Sequence, residues 1–121
     1  MDFSGRFAGR RAVVTGGAAG IGLTVARRLA DEGCAVIVWD RDEKAVEAAT
    51  GDGRLGAVRL DITDPDAVAL AAAATAERLG GIDVLVCSAG VTGPNTTLWD
   101  YPVEAWKQVF DINVHGLFYA N

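Results

Sequence analysis

The glycine-rich segment at residues 15–22 limits the possible folds of this chain more than any other feature. It reads Thr-Gly-Gly-Ala-Ala-Gly-Ile-Gly and lies between an apolar run at residues 11–15 and a helical pattern that continues to about Glu32. Glycines there let the chain turn tightly and let the backbone approach a phosphate, while the following helix offers free N–H groups at its amino terminus. The segment therefore predicts a strand, a loop and a helix that together hold a pyrophosphate.

Strand-like and helix-like runs alternate along the rest of the chain. The runs at residues 35–39 and 84–87 are continuously apolar, as in parallel strands covered on both faces. Gly33 is suited to close the first helix, and Asp64 followed by Pro65 is suited to start the third. We predict an α/β fold with a doubly wound parallel sheet. The predicted strands are residues 11–15, 35–39, 55–60 and 82–87. The first predicted helix follows residues 16–22 and runs to about residue 32, and the other predicted helices are residues 42–49, 65–79 and 102–121.

Composition and charge exclude several functional classes. The length of 121 residues is that of one domain. The net charge of -5 argues against a nucleic-acid partner. The sequence contains no apolar run of membrane-spanning length and no signal-peptide pattern, so we expect no membrane partner. Cys34 and Cys87 lie far apart and outside any metal-binding spacing. We expect a cytoplasmic protein without a metal site.

Asp40 is the candidate residue for cofactor choice. It follows Gly22 by 18 residues and lies at the carboxyl end of the second predicted strand. A carboxylate there accepts hydrogen bonds from the adenosine ribose and repels a 2′-phosphate, which favours NAD over NADP. Two alternatives stay open. Asp40 could merely cap the helix beginning at Asp42, and the guanidinium of Arg41 could pair with a 2′-phosphate.

The spacing Thr15-Gly16-x-x-x-Gly20-Ile21-Gly22 resembles the TGxxxGIG fingerprint of the short-chain dehydrogenase/reductase family. Three further matches follow in order, at residues 61–63 (Asp-Ile-Thr), 87–90 (Cys-Ser-Ala-Gly) and 113–116 (Asn-Val-His-Gly). The resemblance spans nearly all 121 residues. It implies a Rossmann-type sheet with strand order 3-2-1-4, with residues 1–121 as an NAD(P)-binding domain that lacks the family's remaining strands.

The resemblance also assigns roles to individual residues. The aspartate matching Asp61 contacts the adenine, and the segment matching residues 87–90 lines the cofactor cleft. Cys87 stands where the family usually has asparagine, and we expect it to be buried, inert packing. The complete set of predicted cofactor-binding residues is Gly16, Ala19, Gly20, Ile21, Gly22, Asp40, Arg41, Asp61, Ile62, Ser88, Ala89 and Gly90.

Asn113 is the one predicted catalytic residue. Helical spacing puts it in an apolar stripe with Trp106, Phe110 and Leu117, so we expect a buried amide that needs partners. The resemblance implies that this asparagine distorts its helix and holds a water in a proton relay. The alternative is an amide satisfied by local backbone. His115 is the only histidine, and we expect no catalytic role for it.

The family's catalytic tyrosine, lysine and serine follow the residue matching Asn113. Tyr101 has Ala105 four residues later, so no Tyr-x-x-x-Lys pair can be drawn within residues 1–121. We expect these residues alone not to turn over, and the fourth strand to be an exposed apolar edge. The resemblance implies an oxidoreductase that exchanges a hydride between NAD(H) and an alcohol or carbonyl substrate, assembled as a homodimer or homotetramer. The alternative is a non-catalytic dinucleotide-binding fragment.

Overall fold

The computed structural model describes residues 2–121. Four parallel strands form one sheet in the order β3-β2-β1-β4, as the sequence predicts. The strands are β1 (Arg11–Thr15), β2 (Ala35–Asp40), β3 (Gly56–Arg59) and β4 (Val84–Cys87). The α-helices are α1 (Gly20–Asp31), α2 (Glu43–Thr50), α3 (Pro65–Leu79), α4 (Val103–Phe110) and α5 (Leu117–Ala120), with a 3-10 turn at Leu98–Asp100 and a π turn at Asp111–Gly116.

The centre of the sheet is its most buried part. Val13 of β1 pairs with Ile37 of β2 on one side and with Leu85 of β4 on the other. Val13 and Ile37 are fully buried, as expected of strands covered on both faces. The same expectation for β4 is wrong, because β4 has one neighbouring strand and its valines and leucine are only half-buried. The predicted apolar edge is confirmed.

Capping residues set the helix boundaries. The Asp64 carboxylate accepts the N–H groups of Asp66 and Ala67, and Gly80 ends α3 in the left-handed conformation with φ of 84°. Asp42 caps α2 by accepting the Ala45 N–H at 3.1 Å. The predicted boundaries of these helices are therefore correct to within one residue.

The last helix is interrupted by a π turn that contains Asn113, in line with the helix distortion that the resemblance implies. It packs mainly on itself and on α3 through α5. The apolar stripe is consequently not core in this chain, since Trp106 and Phe110 are 48% and 42% exposed. Trp106 stacks on Phe110 with ring centroids 5.1 Å apart. Among residues 2–121, no helix has the length and apolar character that a membrane crossing requires.

The amino-terminal segment is held to the end of α1 by a buried carboxylate. Glu32 accepts hydrogen bonds from Arg6 at 2.8 Å and from Arg28 at 3.2 Å. Burial raises the pKa of Glu32, but the hydrogen bonds and charges of the two arginines outweigh burial and lower it below its ordinary value. Arg6 therefore ties the amino-terminal segment to the end of α1.

Arg11 and Asp83 join the start of β1 to the chain entering β4. The Asp83 carboxylate accepts the Arg11 backbone N–H at 2.9 Å and two guanidinium N–H groups at 2.9 and 3.0 Å. These hydrogen bonds, helped by the positive charges of Arg11 and Arg10, lower the pKa of Asp83 from 3.8 to about 2. The predicted fourth strand begins too early because Ile82 and Asp83 belong to this connection.

We expect this pair to make stability depend on acid. A carboxyl with a lowered folded-state pKa stabilises the fold above its unfolded pKa, and that contribution is lost as the pH falls from 3.8 towards about 2. Asp83→Asn should therefore lower the unfolding temperature at neutral pH and flatten its decline across this acid range. Thermal unfolding followed by circular dichroism measures both. Glu47→Gln, which removes an exposed carboxylate of α2 that forms no ion pair within residues 2–121, is the control. An equally steep decline in Asp83→Asn would contradict the assignment.

Candidate functional site

A cleft of about 140 Å³ opens at the carboxyl ends of the strands. It lies where β1 separates β2 from β4, the point at which the strand order reverses and ligands commonly bind in such sheets. Seven of the predicted site residues line it, namely Gly16, Asp40, Arg41, Asp61, Ile62, Ala89 and Gly90. The other five lining residues were not predicted as site residues, namely Thr15, Trp39, Leu60, Val91 and Ile112.

The glycine loop forms the wall of the cleft nearest β4. Gly16 has φ of 62°, and a Cβ on it would lie 2.8 Å from the Ala89 backbone. A Cβ on Gly22 would collide with the carbonyl oxygen of Gly16. Gly20 also has positive φ, but nothing lies within 4 Å of where its Cβ would be. Glycine therefore serves close packing on the inner side of the loop and leaves open space on its outer side, as a cradle for a phosphate requires.

Thr15 fixes the distance between the glycine loop and the loop after β4. It is 2% exposed, and its Oγ1 accepts the backbone N–H groups of Ser88 and Ala89, each at 3.2 Å. The Ser88 N–H also donates to the Thr15 carbonyl oxygen at 3.1 Å. The sequence predicted Thr15 only as part of the fingerprint and gave it no hydrogen-bonding role. Its buried hydroxyl at a strand end was the signal that could have identified it.

Asp40 lies at the carboxyl end of β2 and borders the cleft. Its Oδ2 accepts the Ala18 N–H at 3.2 Å, and its Oδ1 accepts the Asp42 N–H at 3.1 Å. The cap of α2 is Asp42, so capping is not the role of Asp40. Each carboxylate oxygen has a further lone pair for another donor. The carboxylate is thus held in place by the backbone while keeping acceptor capacity towards the cleft.

Two charged side chains stand opposite each other at the far end of the cleft. Asp61 Oδ1 accepts the Thr63 hydroxyl at 2.7 Å and the Thr63 N–H at 2.9 Å. These hydrogen bonds and the charge of Arg41 lower the pKa of Asp61 despite partial burial. The Arg41 carbonyl oxygen accepts from Arg59 Nε at 3.2 Å. Asp61 is therefore an anion at neutral pH, and Arg41 supplies the compensating positive charge.

The remaining surface of the cleft is apolar. Trp39 is buried, and its indole N–H donates to the Thr75 hydroxyl at 3.1 Å, which fixes the ring. Leu60, Ile62 and Ile112 complete this surface. A buried aromatic ring and branched aliphatic side chains suit a flat, weakly polar group better than a charged one.

Asn113 lies in the π turn and connects the last helix to the loop after β4. Its Oδ1 accepts the Val91 N–H at 2.8 Å, and its Nδ2 donates to the Val91 carbonyl oxygen at 2.7 Å. The expected full burial is wrong, because α4 lies away from the sheet and leaves the amide half-exposed. Its partner is also not local backbone but a segment 22 residues earlier. A second, open part of the cleft lies beside this contact.

Five predicted residues do not line the main cleft, namely Ala19, Gly20, Ile21, Gly22 and Ser88. Ala19 and Ile21 are exposed at the start of α1, where no side chain caps the helix, and Ser88 borders the open part beside Asn113. The cofactor-binding roles of all twelve predicted residues stay predictions.

Two other polar side chains near the cleft offer little chemistry. His115 Nδ1 lies 3.1 Å from Asp111 Oδ1, and both side chains are more than half-exposed. Cys87 is exposed rather than buried as predicted, because it ends an edge strand. Partial burial of its sulfur raises the pKa of the Cys87 thiol, which disfavours the nucleophilic thiolate. No group of three or more potential metal ligands occurs among residues 2–121.

Comparison with known proteins gives one consistent family. The sequence model described as short chain dehydrogenase matches residues 10–121. The 2-dehydro-3-deoxy-L-rhamnonate dehydrogenase (NAD(+)) of Sphingomonas sp. (strain SKA58) is 48% identical over 120 residues, which cover 98% of this chain and 48% of that protein. The cis-4-hydroxycyclohexanecarboxylate dehydrogenase of Sinomonas cyclohexanicum is 42% identical over 115 residues, with 92% and 46% covered.

Solved structures agree with the sequence matches. The structure of NAD+-bound xylitol dehydrogenase superimposes with a TM-score of 0.92 at 33% identity, covering 95% of this chain and 46% of that one. A short chain dehydrogenase from Mycobacterium smegmatis gives a TM-score of 0.90 at 33% identity, with 99% and 52% covered. The chain thus spans about half the length of the curated relatives it matches.

Proposed function

The chain belongs to the short chain dehydrogenase family, and on that premise we propose that its cleft binds NAD for hydride exchange between an alcohol and a carbonyl compound. The observation that carries the proposal is the meeting of three features at one sheet edge. The glycine loop at Gly16, the backbone-held carboxylate of Asp40 and the apolar residues Leu60 and Ile62 border the same cleft. In chemical character these three features suit, respectively, the pyrophosphate, the adenosine ribose and the adenine of one dinucleotide.

Each part of the cleft has a separate task in this proposal. The loop at residues 16–22 binds the pyrophosphate through backbone N–H groups and the amino terminus of α1. Asp40 accepts hydrogen bonds from the adenosine ribose, and Asp61 with Ile62 bounds the adenine. When bound, the nicotinamide supplies the hydride acceptor or donor. Asn113 holds Val91, and with it the loop after β4, beside the open part of the cleft.

Two considerations favour NAD over NADP. The Sphingomonas relative is named for NAD(+), and one structural neighbour was solved with NAD+ bound. The negative charge of Asp40 opposes a 2′-phosphate at the same position. Arg41 borders the cleft as well, so we propose preference for NAD rather than complete exclusion of NADP.

The relatives also suggest a substrate class. Both curated relatives are named as dehydrogenases of a carboxylate that carries further oxygen functions. We therefore expect hydroxy acids to be the first alcohols worth assaying.

Location and assembly are further parts of the proposal. The free thiols of Cys34 and Cys87 suit a cytoplasmic location. The exposed apolar residues Trp106, Phe110 and Phe118 suit a homodimer or homotetramer.

A second candidate is dinucleotide binding without hydride transfer. It is favoured by the lining of the cleft, because none of the residues that border its two described parts is a tyrosine, a lysine or a histidine. General acid catalysis on a carbonyl needs a group of tuned pKa within hydrogen-bond reach. Both candidates share the cleft and differ only in turnover.

Fluorescence titration with NADH and NADPH, followed by an absorbance assay of NAD+ reduction with a panel of hydroxy acids, tests the proposal. We expect saturable binding of both dinucleotides by residues 1–121, with NADH the tighter. Reduction of NAD+ by at least one hydroxy acid is expected where a Tyr-x-x-x-Lys pair accompanies these residues. Binding without reduction would support the second candidate instead. A protein that binds neither dinucleotide would contradict both.

A further inference from the structure

The π turn meets the cleft wall at a contact that leaves no room for a side chain. Gly116 is buried at the end of the turn, and Ile62 lines the cleft. A Cβ on Gly116 would lie 2.7 Å from Ile62 Cγ2 and 3.3 Å from Ile62 Cγ1. Ordinary contacts between such carbon atoms begin near 3.5 Å, at about the optimal separation of two carbons. A single methyl group therefore cannot be added without displacing one of the two segments.

Backbone conformation does not explain why residue 116 is a glycine. Gly116 has φ of -60° and ψ of -41°, which every L-residue adopts readily in a helix. Glycine is among the poorest helix formers and alanine the best, so helix propensity favours alanine at this position. The absence of a side chain at Gly116 thus serves the close approach to Ile62 and not the path of the chain.

Rotation about χ1 of Ile62 gives only partial relief from an added methyl group. Both Cγ atoms branch from its Cβ, so at least one of them faces the contact in every staggered rotamer. Full relief needs backbone movement on one side. On the Ile62 side, the neighbouring Asp61 borders the cleft, and the Leu60 N–H is bonded to the Asp40 carbonyl oxygen at 3.1 Å. Movement there disturbs Asp61 and the end of β2.

The other side of the contact also carries part of the cleft. Ile112, in the same π turn as Gly116, is 8% exposed and lines the cleft opposite the strand ends. One residue further on, Asn113 is tied to Val91. A π turn pushed away from Ile62 would therefore withdraw Ile112 from the cleft. Whichever segment yields, the apolar end of the cleft changes shape.

We infer that Gly116 is a positioning residue for the adenosine end of the dinucleotide, acting through its contact with Ile62. The glycine sets the distance between the π turn and the loop that carries Asp61, and so sets the width of the apolar end of the cleft. This inference rests on the proposed function. It assigns to the last helix a task in cofactor binding that is separate from the contact between Asn113 and Val91.

A double-mutant cycle tests the inference. Gly116→Ala should weaken binding of AMP, the probe of the adenosine end, by about tenfold, as overpacking of a filled site does. Ile62→Ala removes both clashing carbons, so the double variant should bind AMP more tightly than Gly116→Ala alone. Nicotinamide mononucleotide, the probe of the other end, should bind all variants equally. Calorimetric titration measures both ligands.

Gly51→Ala is the matched control. Gly51 also has helical dihedral angles, and its Cβ would meet nothing closer than 3.5 Å, so this variant should bind AMP as the parent does. If Gly116→Ala does not fold, the double variant should fold, and its failure to do so overturns the inference. Unchanged AMP binding in Gly116→Ala also overturns it. A parent protein that binds neither AMP nor NADH overturns the proposed function and the inference together.

Discussion

Replacing Asp40 with serine is expected to weaken NADH binding by roughly 10- to 100-fold, as the loss of hydrogen bonds to a charged group does. The carboxylate is held by the N–H groups of Ala18 and Asp42, so it faces the ribose without having to be ordered on binding. Serine removes the negative charge and leaves Arg41 as the nearest side chain with a charge that suits a 2′-phosphate. NADPH should therefore bind more tightly to Asp40→Ser than to the parent protein, which reverses or abolishes the preference for NADH.

Asp42→Ser is the control for this prediction. It removes a carboxylate two residues away but keeps a residue type that caps helices well, so α2 should stay intact. Its preference for NADH should match that of the parent. A similar loss of NADH binding in both variants would attribute the effect to net charge, and an unchanged preference in Asp40→Ser would contradict the role of Asp40. Paired fluorescence titrations with the two dinucleotides give the preference directly.

Replacing Asn113 with alanine is expected to lower the free energy of unfolding by about 2 kcal/mol. Two hydrogen bonds are lost, and the backbone N–H and carbonyl oxygen of Val91 both lose their side-chain partner. The effect should extend beyond stability. The loop after β4 would lose its connection to the π turn, so amide hydrogens near Val91 should exchange faster. Urea denaturation and hydrogen exchange measure the two effects.

Asn95→Ala is the matched control for Asn113→Ala. Asn95 lies in the same connecting loop and is exposed, and its side chain forms no hydrogen bond within residues 2–121. Its replacement should leave the free energy of unfolding unchanged. Equal, small effects of the two substitutions would mean that water replaces the Val91 contacts at no cost, and that Asn113 has no structural role.

The sheet and its loop were predictable from sequence because local rules determine them. Continuous apolar runs indicate buried parallel strands, and the residues around Gly16 fix a tight turn whatever lies further along the chain. Asp64 and Pro65 likewise mark the start of α3 through interactions confined to one helical turn. Asp40 could be selected because its place at a strand end follows from the strand itself.

The rest of the cleft depends on packing between distant segments, which spacing does not reveal. Trp39 was seen only as the end of an apolar run, yet it lines the cleft, and Thr75 of α3 accepts its indole N–H. The helical stripe around Trp106 predicted either core or an interface, and spacing alone could not show that α4 lies away from the sheet. The contact between Gly116 and Ile62 joins two motifs that the sequence keeps 54 residues apart.

A crystal structure of the protein with NAD+ tests the central claim most directly. We expect the pyrophosphate over the loop at residues 16–22, both adenosine ribose hydroxyls within hydrogen-bond distance of Asp40, and the adenine against Asp61 and Ile62. Dinucleotide bound elsewhere on the molecule, or bound in the cleft with its adenosine ribose away from Asp40, would contradict the account.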